Sequence, residues 1–176
     1  SGAEFWERFA YYGMQALLVL YLSHYLFKPG TIEHVWGIDA FRHALETIYG
    51  KLDFAAFASA VVGFYTATVY LTPILGGYIA DRLIGRTATV ALGASSMAAG
   101  YFLLCFEQSF LIGIFALLFG VGCFKGNIAA QVGDLYTIDD PRRADGFQIY
   151  FLVIQLAVII APLITGTLGE YVGWYW

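Results

Sequence analysis

The chain has 176 residues, 60% of them hydrophobic and 18% aromatic, with 12% charged residues and a formal net charge of −4. Its mean hydropathy is +0.70. Soluble domains carry about 25% charged residues, so the composition excludes an ordinary water-soluble domain and points to an all-α polytopic membrane protein. No basic tract offers a surface for nucleic acid. Cys105 and Cys123 lie within apolar runs without metal-ligand company, so neither a disulfide framework nor a metal site is expected, and no cofactor.

Five stretches are long enough to cross a bilayer core of about 30 Å, which needs ~20 residues. They cover 4–27, 54–80, 87–106, 110–136 and 146–171. The first opens E-F-W-E-R-F-A-Y-Y-G-M-Q. At about 100° per residue, Glu4, Glu7, Arg8, Tyr11 and Gln15 share one face, with Tyr12 at its edge. The other faces carry Phe5, Trp6, Phe9, Met14, Leu17 and Leu20. Charge inside a span costs roughly 3 kcal/mol or more and marks a proton, ion or substrate path. Residues 28–53 form the polar exception. There Ile38, Phe41, Leu45 and Ile48 recur at helical spacing up to Gly50, which predicts a short amphipathic surface helix.

The second span carries Ser59, Gly63, Thr66, Tyr70, Pro73 and Gly77 within about 60° of one another, a small and polar face suited to a cavity wall, with a bend at Pro73. It ends in Gly77-Tyr-Ile-Ala-Asp81-Arg82-Leu-Ile-Gly85, where Gly77 would let a neighbouring helix end approach the Asp81 carboxylate. The third span has no mid-span charge and is expected to be peripheral. In the fourth, Lys125 is a second deep charge. A buried ammonium needs a partner or a depressed pKa; Glu4 and Glu7 are the acids at comparable depth, so a carboxylate–Lys125 pair is expected. The fifth span offers Gln148, Gln155, Pro162 and Gly166 on one face.

Arg82 and Arg86 lie between spans two and three, Arg142 and Arg143 between four and five, and the turn between three and four has no cation. The positive-inside tendency therefore puts the N-terminus in the cytoplasm of a multi-pass protein. The chain opens without an initiator Met or basic leader, so no signal peptide is read. It stops at Trp176 as another apolar stretch begins, as expected of a fragment truncated before a sixth helix.

Glu4-x-x-Glu7-Arg8-Phe9-x-Tyr11-Tyr12-Gly13 resembles the E-x-x-E-R-F-x-Y-Y-G element of the proton-dependent oligopeptide transporters of the major facilitator superfamily. Tyr70-Leu-Thr-Pro-Ile-Leu-Gly-Gly-x-Ile-Ala-Asp81-Arg82-Leu-Ile-Gly85 is similar to their second helix and following loop. Phe124-Lys125-Gly-Asn127, Val132-Gly-Asp134-Leu-Tyr136…Asp140-Pro-Arg-Arg143 and Ile160-Ala-Pro162-Leu resemble the fourth helix, the next loop and the fifth helix.

The resemblance implies that residues 1–176 are the N-terminal transmembrane bundle of a twelve-helix, alternating-access symporter of di- and tripeptides and protons. Its lipid-embedded partner would be the C-terminal bundle of the same carrier, in the plasma membrane (the inner membrane of a bacterium). It implies proton coupling by Glu4, Glu7 and Arg8, and pairing of Lys125 with a motif carboxylate and with the peptide carboxylate. It further implies a peptide site lined by Tyr11, Tyr12 and Tyr70, and a cytoplasmic loop motif of Gly77, Asp81, Arg82 and Gly85. Gln15 stands where many members place an Arg, Gln155 replaces a common Asn and Gly126 a Pro. Both glutamines are substrate-site candidates, and carboxylate binding shifts toward Lys125. A carrier of another small anion such as nitrate, or a different major facilitator, is the alternative. An enzyme would need a nucleophile with its base, or metal ligands, at depth; His34 and His43 lie in the 28–53 loop and His24 near a helix end, so no enzymatic activity is expected.

Overall fold

The computed structural model describes residues 2–137 and 140–171, together with every side chain among them except that of Glu170. The stretch ending at Trp176, where a sixth span is expected to begin, lies outside the described residues. Among the described residues there are six α-helices and no strand: α1 (Gly2–Tyr21), α2 (Ile38–Tyr49), α3 (Phe54–Ile79), α4 (Arg86–Leu104), α5 (Phe110–Asp134) and α6 (Arg142–Tyr171). Four helical segments are long and apolar enough to cross a membrane: Phe54–Ile84, Arg86–Leu104, Glu107–Asp134 and Arg142–Gly169. The protein is a multi-pass membrane protein. Helix α1, 20 residues long, does not join that group, because Glu4, Glu7 and Arg8 lower its hydropathy.

The helix ends have local causes. Asp53 caps α3 by accepting from the Ala56 amide at 2.7 Å. Gly85, at φ 81°, turns the chain into α4, and both the amide and the hydroxyl of Thr89 donate to its carbonyl, at 3.0 and 2.8 Å. Helix α1 widens into a π-helical segment at Leu22–Leu26. There the Ser23 hydroxyl donates to the Val19 carbonyl at 2.7 Å, and His24 Nδ1 lies 3.2 Å from the Leu20 carbonyl. A second π segment, Ala80–Ile84, ends α3.

The helices fall into two compact units, one holding α1 as far as Leu18 together with the chain from Ile128, the other Val19–Asn127. In the larger unit α5 is the enclosed helix, with Leu111, Ile114, Leu117, Leu118, Val121 and Phe124 all buried. Small residues set its contacts. A Cβ at Gly93 of α4 would come 2.8 Å from the Gly120 carbonyl, and one at Gly100 would come 3.0 Å from the Gly113 carbonyl. On the other side, a Cβ at Gly76 of α3 would overlap the Gly122 carbonyl. Without a hydrophobic drive between helices in lipid, such backbone approach is what supplies packing energy. The ring of Phe27 stacks on Phe57, centroids 4.7 Å apart, and meets Phe110 edge-on at 6.3 Å.

Helix α2 buries Ile38 and Leu45, but Ile48 is 75% exposed. The spacing placed Ile48 on the apolar face, yet it sits about 60° round from Leu45 and leaves the contact. Arg42 closes the return to α3: Nε donates to Glu46 Oε1 at 3.0 Å, and Nη2 donates to the Leu52 carbonyl at 2.6 Å.

In the smaller unit α1 crosses α6 at Gly13, where a Cβ would lie 2.6 Å from Thr165 Cγ2. The Thr165 hydroxyl donates to the Gly13 carbonyl at 3.4 Å. Ala157 and Ala161 are fully buried on the same side of α6.

Candidate functional site

The polar stripe of α1 is turned inward. Glu4 is 1% exposed, and Glu7 and Arg8 are each 5% exposed. The single Nε–H of Arg8 is aligned on Glu4 Oε1 at 3.1 Å, one helical turn back. Glu7 Oε2 lies 2.7 Å from the same nitrogen as an ion pair. Two carboxylates and one guanidinium therefore share a buried site whose fully ionised charge is −1. Burying a net charge is costly unless it is compensated by a proton or a cation.

The tyrosines of α1 continue this stripe. The Tyr11 ring is buried, with the Arg8 guanidinium carbon 6.0 Å from its centroid. Tyr12 is half-buried and packs edge-on against Tyr11, centroids 5.1 Å apart. Gln15 is half-buried, whereas Gln155 on α6 is exposed on this chain. Gln148 is exposed too, and Pro162 and Gly166 are half-buried.

Tyr150 of α6 was not legible as a site residue. It is 7% exposed and has Glu4, Arg8 and Glu7 as its charged neighbours. The available signal was its spacing: Gly146, Tyr150, Ala157, Ala161 and Thr165 recur at intervals of four or seven residues, placing a phenol on a stripe of otherwise small residues.

In the larger unit, Lys125 is half-buried on α5, and its Nζ lies 4.8 Å from the centroid of the Tyr70 ring on α3. Tyr70 itself is 67% exposed on this chain. Ser59 and Gly63 are also exposed, and Thr66, Pro73 and Gly77 are half-buried, while Phe57, Val61, Tyr65 and Val69 on other faces of α3 are buried. The small and polar face is thus the one turned away from this unit's core. Below Lys125, the Asn127 amide donates to the Gly76 carbonyl at 3.2 Å and to the Cys123 carbonyl at 2.8 Å, tying α5 to α3.

At the end of α3 the sequence pointed to Gly77 as the packing glycine, and the structure gives that place to Gly76. A Cβ at Gly77 would meet nothing within 4 Å. Asp81 and Arg82 are exposed on the π segment, and Gly85 supplies the left-handed turn that follows.

The model of the POT family matches residues 87–176. The chain is 39% identical over 171 residues to the uncharacterized transporter YclF of Bacillus subtilis, covering 95% of this chain and 30% of that protein. It is 38% identical over 175 residues to a di-/tripeptide transporter of Lactococcus lactis subsp. lactis, covering 98% of this chain and 32% of that protein. A crystal structure of the peptide transporter POT in complex with sulfate aligns with a TM-score of 0.78 at 32% identity, over 98% of this chain and 32% of that one. A POT family transporter in complex with 5-aminolevulinic acid aligns with a TM-score of 0.74 at 29% identity, over 96% and 31%. The chain spans about a third of the length of the curated relatives it matches. With its family model matched over residues 87–176, more than half its length, the chain belongs to the POT family.

Proposed function

We propose that the carrier containing this chain performs proton-coupled symport of di- and tripeptides by alternating access, as a transporter and not an enzyme. The buried cluster of two carboxylates and one guanidinium, Glu4, Glu7 and Arg8, carries the reading. Helix α1 is the first of five membrane spans in this chain, and the C-terminal bundle completes the peptide site. The loops bearing Arg82, Arg86, Arg142 and Arg143 face the cytoplasm by the positive-inside tendency, which puts the N-terminus inside the plasma membrane.

In the proposed cycle, the ammonium of Lys125 balances Glu7 when no proton is bound. With the site open to the outside, a proton neutralises Glu7 and leaves Lys125 for the terminal carboxylate of the peptide. The hydroxyls of Tyr11, Tyr12 and Tyr70 hold the peptide backbone, with Gln15 and Gln155 as further polar contacts. Both ligands together remove the cost of an unpaired buried charge, so the bundle closes and reopens inward. Loss of the proton to the cytoplasm restores the Glu7–Lys125 pair and expels the peptide. Gly77, Asp81, Arg82 and Gly85 form the cytoplasmic turn on which α3 and α4 move.

The test is labelled dialanine uptake by the full-length carrier in proteoliposomes. Glu7→Gln should abolish accumulation driven by a proton gradient and retain part of the counterflow exchange. If Glu7→Gln still concentrates dialanine against its gradient, the coupling role of Glu7 is wrong.

A further inference from the structure

We infer that Asn127 is a positioning residue for Lys125: its side-chain amide locks α5 onto the proline-containing stretch of α3 and so keeps the Lys125 ammonium at the Tyr70 ring. The inference rests on the symport reading above. Pro73 has no amide hydrogen for the Val69 carbonyl four residues back, and the Thr72 hydroxyl donates to that carbonyl at 3.3 Å. This same stretch is where α5 docks. A Cβ at Gly122 would lie 2.6 Å from Thr72 Cβ, and one at Gly126 would lie 3.7 Å from Pro73 Cβ.

A glycine seam brings two backbones close but offers no side chain to stop one helix rolling or sliding on the other. At about 100° per residue, Lys125 and Asn127 flank the Gly122–Gly126 seam on opposite sides, and each reaches α3. The Lys125 ammonium lies 4.8 Å from the Tyr70 ring centroid. Asn127, 4% exposed, donates from its amide to the Gly76 carbonyl at 3.2 Å. The same amide donates to the Cys123 carbonyl one turn back at 2.8 Å, which holds its side chain in place. A slide of one residue is about 1.5 Å, enough to break the bond to Gly76. In the proposed cycle Lys125 moves between Glu7 and the peptide, so its own contact with Tyr70 cannot hold α5 still. Asn127 takes no part in that exchange and supplies the fixed side of the seam. Without it α5 is free to roll, and the ammonium is less well placed for the terminal carboxylate of the peptide.

Asn127→Leu keeps the branched shape of the side chain, suits an apolar span and removes the amide. Unlabelled dialanine and its C-terminal amide, which offers Lys125 no carboxylate, are compared as inhibitors of labelled dialanine exchange by the full-length carrier in proteoliposomes. The preference for dialanine over the amide should fall about 2–10-fold in Asn127→Leu, the weight of one hydrogen bond. It should not change when Asn127→Leu is added to Tyr70→Leu, where the ring that Lys125 meets is already gone. A merely structural role would weaken both inhibitors alike and leave the preference as it was. Asn127→Ala repeats the measurement if the leucine variant does not fold. An unchanged preference, or an equal fall in the Tyr70→Leu background, overturns the inference. A wild-type carrier that neither accumulates nor exchanges dialanine overturns the symport reading, and is seen before any substitution is made.

Discussion

The ammonium of Lys125 sits over the face of Tyr70, 4.8 Å from the ring centroid, joining α5 to the exposed face of α3. In the proposed cycle the two parts of the Tyr70 side chain would have separable roles, the ring face toward Lys125 and the hydroxyl toward the peptide. Tyr70→Phe should weaken dialanine binding about 2–10-fold through the lost hydrogen bond. Tyr70→Leu should weaken it by a further factor of about 2–30, from the lost cation–π contact. The concentration dependence of exchange measures both. Equal affinities for the two variants would show that the ring face contributes nothing.

Much of this arrangement was readable in the sequence, because polar residues in an apolar span carry high contrast. Glu4, Glu7, Arg8 and Tyr11 stood out on one face of the first span, and that face is buried. The spacing read a helix over 54–80 and another over 110–136, where α3 and α5 run Phe54–Ile79 and Phe110–Asp134. What could not be read depends on how near-uniform apolar surfaces dock. Gly76 and Gly77 are chemically identical neighbours, and only the crossing angle of α5 decides which meets Gly122. Tyr150 was obscured for the same reason, since α6 is apolar on nearly every face and its inward side is marked by small residues instead of polar ones. The π segment at Leu22–Leu26 depends on side-chain bonds from Ser23 and His24 that periodicity does not reveal.

The Gly76–Gly122 crossing gives a second prediction. Gly76→Ala drives a methyl group into the Gly122 carbonyl and toward Cys123 Cα, and overpacking of this kind costs about 1–3 kcal/mol. Gly63, on the same helix, has open space around a Cβ. There Ala should be neutral, or stabilising by up to about 1 kcal/mol through helix propensity. Thermal melts of the two variants check this; equal melting temperatures would mean that the α3–α5 contact does not limit stability.

A third prediction concerns pH at the surface clasp outside the spans. The hydrogen bond from Arg42, followed by that from the Leu52 amide, holds the Glu46 carboxyl below its ordinary value of 4.5. A lowered carboxyl pKa stabilises the folded form above the ordinary value, and that stabilisation is lost as pH falls through the lowered one. Because the Leu52 amide donates to Glu46 Oε1 at 3.3 Å, its hydrogen-exchange protection, corrected for intrinsic rate, should hold at neutral pH and decline below 4.5. Glu46→Gln should remove the pH dependence. Protection that is flat through this range in the wild type would refute the clasp.

The last prediction tests the proposed pairing of Glu7 with Lys125 by stability as well as by transport. If the ammonium balances the surplus negative charge of the Glu4–Glu7–Arg8 cluster, Lys125→Ala leaves a buried carboxylate uncompensated, and breaking such a pair costs about 3–5 kcal/mol. Removing the other partner as well abolishes the surplus charge, so Glu7→Gln/Lys125→Ala should melt well above Lys125→Ala alone. Lys125→Arg keeps the positive charge, but its planar fork can grip a carboxylate with two hydrogen bonds where lysine offers a compact point charge. That variant should retain exchange and lose accumulation, because the arginine would not release Glu7 readily enough to alternate between it and the peptide. Lys125→Ala, with no cation for the peptide carboxylate, should lose both activities. A double variant no more stable than Lys125→Ala would show that the two side chains are not electrostatically coupled, and Lys125 would then act on the peptide alone.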